Sequence, residues 1–215
     1  MKNLLKISLI LLGLITFYGC KGQSEKKTSE EAPEANVAAE TENQVEKGVV
    51  SFQKVLTLQN VTFEVTSIGE GSIRQLFINT KGLSESNEGI RMEIDGSVVN
   101  AEVEDLNVDG FPELVIYTQS AGSGSYGNVI GYSVNNGKSM SQISFPDLAN
   151  NKEASDGYMG HDVFLIGETN LIRKFPIYKK GDTNDNPTGG TRQIQYKLKD
   201  GEASRLFVID KISEY

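Results

Sequence analysis

The chain has few of the residues that do chemistry. Its 215 residues include one cysteine, Cys20, and one histidine, His161. A lone cysteine excludes an intramolecular disulfide. A lone histidine with no nearby thiolate makes a poor zinc site. Basic residues are also scarce, 21 against 29 acidic, for a formal net charge of −8. That balance argues against nucleic acid, which needs a basic face. It serves solubility and would steer a basic partner. No stretch has a convincing helical period.

The one long apolar run lies at the start. Lys2 and Lys6 precede Ile7–Tyr18, which is apolar apart from Ser8, Gly13 and Thr16, and Gly19-Cys20 follows. The run is too short for a membrane span and fits a secretory leader. Residues 1–19 are therefore expected to be a lipoprotein signal peptide. Cys20 would be the lipidated first residue, although Phe17 and Tyr18 are bulkier than usual before such a cysteine. The lipid would anchor the protein to a membrane of the bacterial envelope, the outer membrane foremost, on its periplasmic or surface face. An ordinary signal peptide is the plainer alternative. Residues 20–50 read as that cysteine and a disordered tether, since Glu, Ala, Thr, Asn and Lys dominate and no aromatic occurs. Such a coil spans roughly 30 Å.

Residues 51–215 suit one domain. Val61, Phe63 and Val65 alternate with polar residues, as do Ile90, Met92 and Ile94, and Ile194, Tyr196 and Leu198. Period-two patterns of this kind are strands with one buried face. Leu114-Val115-Ile116-Tyr117 is apolar on both faces and should be a central strand. Val129–Val134 follows, then Asn136-Gly137, a hairpin turn signal, then Met140–Phe145. Val163–Ile166 and Leu171-Ile172 flank a turn at Gly167–Asn170, and Arg205–Ile212 closes the chain. The fold class expected is all-β, an antiparallel sandwich or flattened barrel with long hairpin loops.

Ser120–Gly127 is the most informative segment. It holds three Gly, three Ser, one Ala and Tyr126 between two strand patterns, and it is longer than the ~2–5 residues usual for a hairpin. Such a loop is thin and carries one large contact group. A mobile tip without a partner is the bland reading. Gly122, Gly124 and Gly127 match a dinucleotide-binding spacing, but a strand pattern follows where that motif needs a helix. Phosphate binding is therefore discarded.

The other candidate sites are weaker. Asp105, Asn107, Asp109 and Gly110 have the alternating oxygens of a calcium loop, with Glu113 at the ninth position. The twelfth, where an EF-hand needs Glu, is Ile116. The same residues are common turn formers, and that reading is favoured. Ser123, His161 and Asp162 could be imagined as a triad, but no nucleophile-elbow helix follows Ser123. His161 is better read as a structural hydrogen-bonding residue. Gly181–Gly190 is a second polar loop that could flank the first.

Several motifs in order carry a resemblance. They are Asp105-Leu106-Asn107 through Gly110, Ser120–Gly127, Tyr132–Asn135, Gly157-Tyr158-Met159-Gly160-His161-Asp162, Arg173–Tyr178, Gly181–Asn184 and Pro187–Gly190. Together they resemble the periplasmic inhibitors of invertebrate-type (I-type) lysozyme, over about Asp105 to Tyr215. Residues 51–104 share only general β character. The resemblance implies a β-sandwich without catalytic activity or cofactor, whose partner is invertebrate-type lysozyme. It places the family's S-G-x-Y motif on Ser123, Gly124, Ser125 and Tyr126. In a cleft with paired carboxylates, Ser123 and Tyr126 would donate hydrogen bonds worth about 1.5–3 kcal/mol each. A homodimer of such subunits would be unsurprising. The alternative function is a calcium-dependent adhesion or carbohydrate-binding module built on Asp105, Asn107, Asp109 and Glu113; a hydrolase using Ser123 and His161 ranks third.

Overall fold

The computed structural model describes residues 48–215. The expected signal segment, Cys20 and most of the tether lie outside the described residues. Twelve strands form three four-stranded antiparallel sheets, each a meander of consecutive strands. The first holds β1 (Val50–Leu58), β2 (Val61–Ile68), β3 (Ile73–Lys81) and β4 (Ile90–Asp95). The second holds β5 (Ser97–Glu104), β6 (Glu113–Gln119), β7 (Gly127–Asn135) and β8 (Ser139–Ile143). The third holds β9 (Val163–Ile166), β10 (Leu171–Pro176), β11 (Thr191–Lys199) and β12 (Leu206–Glu214). No barrel closes. Among the described residues the helical parts are a 3₁₀ turn at Leu148–Asn150 and one helical turn, α1, at Lys152–Ser155. No helix there is long and apolar enough to cross a membrane.

The apolar run at Leu114–Tyr117 explains the layering. Successive side chains of a strand point to opposite faces, and this strand is buried on both. Leu114 and Ile116 join Phe63, Val65, Leu76, Ile78 and Ile94 in a core against the first sheet. Val115 and Tyr117 join Leu171, Phe175, Ile194, Tyr196 and Phe207 in a second core against the third sheet. The middle sheet is thus packed on both sides, a sandwich of three layers.

Turn chemistry sets the connections. Asn136 and Gly137 both have positive φ, 51° and 70°, as the expected tight hairpin between β7 and β8 requires. The chain passes from the first sheet to the second at Gly96, whose φ is +88° and whose Cβ would lie 2.0 Å from the Gln119 carbonyl oxygen. Only glycine fits there.

Three strands, β1, β3 and β5, are absent from the sequence-level expectation. In β5 a register shift at Val98/Asn100 breaks the two-residue alternation that would have marked it. β1 alternates in burial from Phe52 to Leu58, but Lys54 takes an inner position and Val55 an outer one, which masks the apolar pattern. β1 starts at Val50, beside the expected domain start.

Burial on both faces makes β6 the most sensitive strand. Ile116→Ala should cost about 3 kcal/mol, because it opens a cavity where neighbours cannot collapse. Urea denaturation checks this, and a loss below about 1 kcal/mol would contradict the packing described.

Candidate functional site

The site begins at an inward-facing arginine. β10 buries Leu171, Arg173 and Phe175 on one face, so a guanidinium sits among apolar side chains. An unpaired buried charge would be costly. Asp162 supplies the partner: Arg173 Nε donates to its Oδ1 at 2.6 Å, and the carboxylate is fully buried. The other carboxylate oxygen accepts the Tyr158 hydroxyl at 2.5 Å and the Gly127 backbone N–H at 2.7 Å. Arg173 also donates to the Tyr158 hydroxyl at 2.8 Å and lies 4.9 Å from that ring's centroid. Burial, and then the bond to Asp162, push the Tyr158 phenol well above the usual tyrosine range. It therefore stays protonated and keeps donating.

Gly127 is where the Ser120–Gly127 loop enters β7, so this network clamps the loop's C-terminal end. Its own ends close on each other: Ser120 N–H donates to the Tyr126 carbonyl at 2.9 Å, and Tyr126 N–H to Ser120 Oγ at 3.0 Å. At the tip, Ser125 N–H donates to the Gly122 carbonyl at 2.9 Å, with Ser125 at φ 45°. The segment 157–162 braces the tip from below. His161 N–H donates to the Gly124 carbonyl at 2.8 Å. Gly160 must be glycine, since its φ is +92° and a Cβ would lie 1.9 Å from that same oxygen.

The Tyr126 ring packs edge-on to Tyr158 at 5.7 Å between centroids, yet remains 49% exposed. Ser123 is exposed at the tip. Gly124 serves the ring from the other side: a Cβ there would lie 2.4 Å from Tyr126 Cε2. Its missing side chain therefore seats Tyr126, whereas Gly122 faces open space. Beside Tyr126 is a cleft of about 550 Å³, walled by Asn128, Phe145, Asp147, Tyr158 and Arg173.

The second polar loop does flank the first. Asp182 ties it off, accepting from Lys179 N–H at 2.7 Å, Thr188 N–H at 2.8 Å and Thr188 Oγ1 at 2.9 Å. Those backbone N–H groups hold the Asp182 carboxyl below its ordinary pKa. From this loop Asn184 donates to the Ser123 carbonyl at 2.8 Å, and its Oδ1 lies 3.2 Å from His161 Nε2.

The imagined triad is not assembled. His161 Nε2 bonds Asn184, and Asp162 bonds Arg173, Tyr158 and Gly127. Among the described residues no hydrogen bond joins Ser123 Oγ to His161. The Asp105–Gly110 segment is wired as a turn. Asp105 accepts from the N–H of Asp109 and Gly110 at 3.0 and 2.9 Å, and Asp109 accepts from Phe111 N–H at 2.9 Å. Asn107 Nδ2 donates to Asp109, whose carboxylate pairs with Arg205 at 2.5 Å. The Asp109 carboxylate is thus shared between the turn and the Arg205 guanidinium. Among the described residues no group of three or more His, Cys, Asp or Glu is arranged to hold a metal.

Glu113 points inward, accepting from Leu106 N–H at 2.8 Å and Ser133 Oγ at 2.6 Å. Burial, opposed by those bonds, raises its carboxyl from 4.5 to about 7.

Sequence reasoning missed the Arg173–Asp162–Tyr158 network. A signal was present: period two puts Arg173 on the face of Leu171 and Phe175, and a charge there demands a buried partner.

These features define a class, a rigid β-scaffold that presents a braced, exposed loop with one aromatic contact group. The family model described as periplasmic lysozyme inhibitor of I-type lysozyme matches residues 43–159, more than half of the chain, which belongs to that family. The match takes in residues 51–104, where the resemblance by motif was only general, and ends before the Arg173–Tyr178 and Gly181–Gly190 motifs. No curated protein and no solved structure matches the chain.

Glu113 generates a pH prediction. The native state holds a proton that the unfolded chain releases between pH 4.5 and about 7. Stability attributable to this group therefore falls as pH rises through that window. At about 1.4 kcal/mol per pH unit the loss is at most about 3 kcal/mol. Glu113→Gln should flatten the wild-type difference in unfolding free energy between pH 5 and pH 8; an identical difference in both proteins would remove Glu113 as its source.

Proposed function

We propose that this inhibitor blocks invertebrate-type lysozyme by inserting the Ser123–Tyr126 loop into the enzyme's cleft, with no bond broken. One observation carries the reading: His161 and Asn184 hold the tip and Asp162 holds the loop's C-terminal end, while Ser123 and Tyr126 stay exposed. A fixed loop has less conformational entropy to lose on binding. Ser123 donates its hydroxyl to a catalytic carboxylate of the enzyme. Tyr126 lies in a sugar subsite, apolar by its ring and donating by its phenol. Gly124 keeps that ring seated, and Ser125 forms the turn between the two contact residues.

The lipid anchor at Cys20 and the tether belong to the same proposal. They hold the domain clear of the envelope membrane, where lysozyme reaches peptidoglycan. The acidic balance of the chain assists encounter with a basic enzyme.

Hydrogen bonds to charged groups contribute about 1.5–3 kcal/mol, so Ser123→Ala and Tyr126→Ala should each weaken inhibition by roughly tenfold to a hundredfold. Melting temperatures should stay near wild type. Peptidoglycan lysis by invertebrate-type, chicken-type and goose-type lysozymes is the readout. Unchanged inhibition constants for both variants would remove the loop from the mechanism.

A further inference from the structure

We propose that Asn184 is a positioning residue for the inhibitory loop, an inference that rests on the Ser123–Tyr126 reading above. Asn184 lies 61 residues beyond Ser123, on a different loop, outside the segment that the family model matches. Its side chain donates Nδ2 to the Ser123 carbonyl at 2.8 Å. Its Oδ1 faces His161 Nε2 at 3.2 Å. An amide oxygen only accepts, so Nε2 carries the proton and the contact orients the amide. The Asn184 carbonyl in turn accepts the hydroxyl of the buried Tyr178 at 2.8 Å. The residue is thus held through its backbone and its side chain before it touches the loop.

The consequence falls on two adjacent peptides. The Ser123 carbonyl is taken by Asn184, and the Gly124 carbonyl by the His161 N–H. Two consecutive carbonyls bonded to two different loops fix the peptide planes that aim the Ser123 and Tyr126 side chains. Ser123 Oγ has no partner among the described residues and is left for the enzyme. A Gly/Ser-rich loop without this clamp samples many conformers. Affinity then falls by the fraction of molecules in the binding geometry. Asparagine suits the task because one short side chain offers a donor and an acceptor in a plane. Aspartate would set a carboxylate against the Ser123 carbonyl.

The test uses the purified inhibitor and invertebrate-type lysozyme, with four variants: Asn184→Ala, Asn184→Asp, Ser123→Ala with Tyr126→Ala, and that pair combined with Asn184→Ala. Inhibition constants, association rates, melting temperatures and hydrogen exchange are measured. Asn184→Ala should weaken inhibition about tenfold, mainly through slower association, if the competent fraction drops to about one tenth. The Ser125 and His161 amides should exchange faster while the melting temperature stays near wild type. Asn184→Asp, nearly isosteric, should weaken inhibition by a similar factor and guards against loss of fold in the alanine variant. In the Ser123→Ala, Tyr126→Ala background, Asn184→Ala should add little, because the groups it aims are gone. A full tenfold loss in that background would make Asn184 a direct contact and overturn the positioning role. Wild-type inhibition by both single Asn184 variants would overturn it too, leaving the loop reading intact. If Ser123→Ala with Tyr126→Ala inhibits like wild type, it is the loop reading that fails.

Discussion

The Arg173 guanidinium is buried between Leu171 and Phe175, and its pairing with Asp162 is the constraint on which the Ser120–Gly127 end of the molecule depends. Breaking such a pair leaves an uncompensated buried charge, at a cost of about 3–5 kcal/mol. The carboxylate has one orientation that serves Arg173, and in that orientation its second oxygen faces the Tyr158 hydroxyl and the Gly127 N–H. The third sheet's core thereby fixes where the loop enters β7. Tyr158 then supplies the surface on which the Tyr126 ring rests. Core, clamp and contact residue form one chain of bonded or touching groups.

The loop tip is built from residues that do not hold themselves in place. Glycine and serine contribute little burial, and Ser125 sits at positive φ. Order comes from neighbours: Gly160, His161 and Asn184 approach the Ser123 and Gly124 carbonyls closely enough to bond or to exclude a side chain. Small residues keep the tip thin, while the large residues that brace it stay below.

The polar clusters elsewhere are bonded within the fold. Arg205 pairs with Asp109 and reaches Glu113, which ties β12 to the Asp105–Gly110 turn and to β6. The alternating oxygens that resemble a calcium loop are spent on backbone N–H groups and on that guanidinium.

By itself the sequence determined that the domain is β, that Leu114–Tyr117 is a central strand, that Asn136-Gly137 is a hairpin and that Ser120–Gly127 is a long loop of small residues between two strands. Those features follow from two-residue periodicity and turn chemistry, which act between neighbours along the chain. Strand β5 was hidden because a bulge shifts its register, and β1 because Lys54 and Val55 stand on the faces opposite to those their polarity suggests. The three-layer arrangement, the Arg173–Asp162 pair and the hold of Asn184 on Ser123 were decided by the tertiary structure alone. Each joins residues distant in sequence, 61 positions apart for Asn184 and Ser123. No local pattern encodes which distant donor will meet a given carbonyl, because that meeting depends on how the sheets stack.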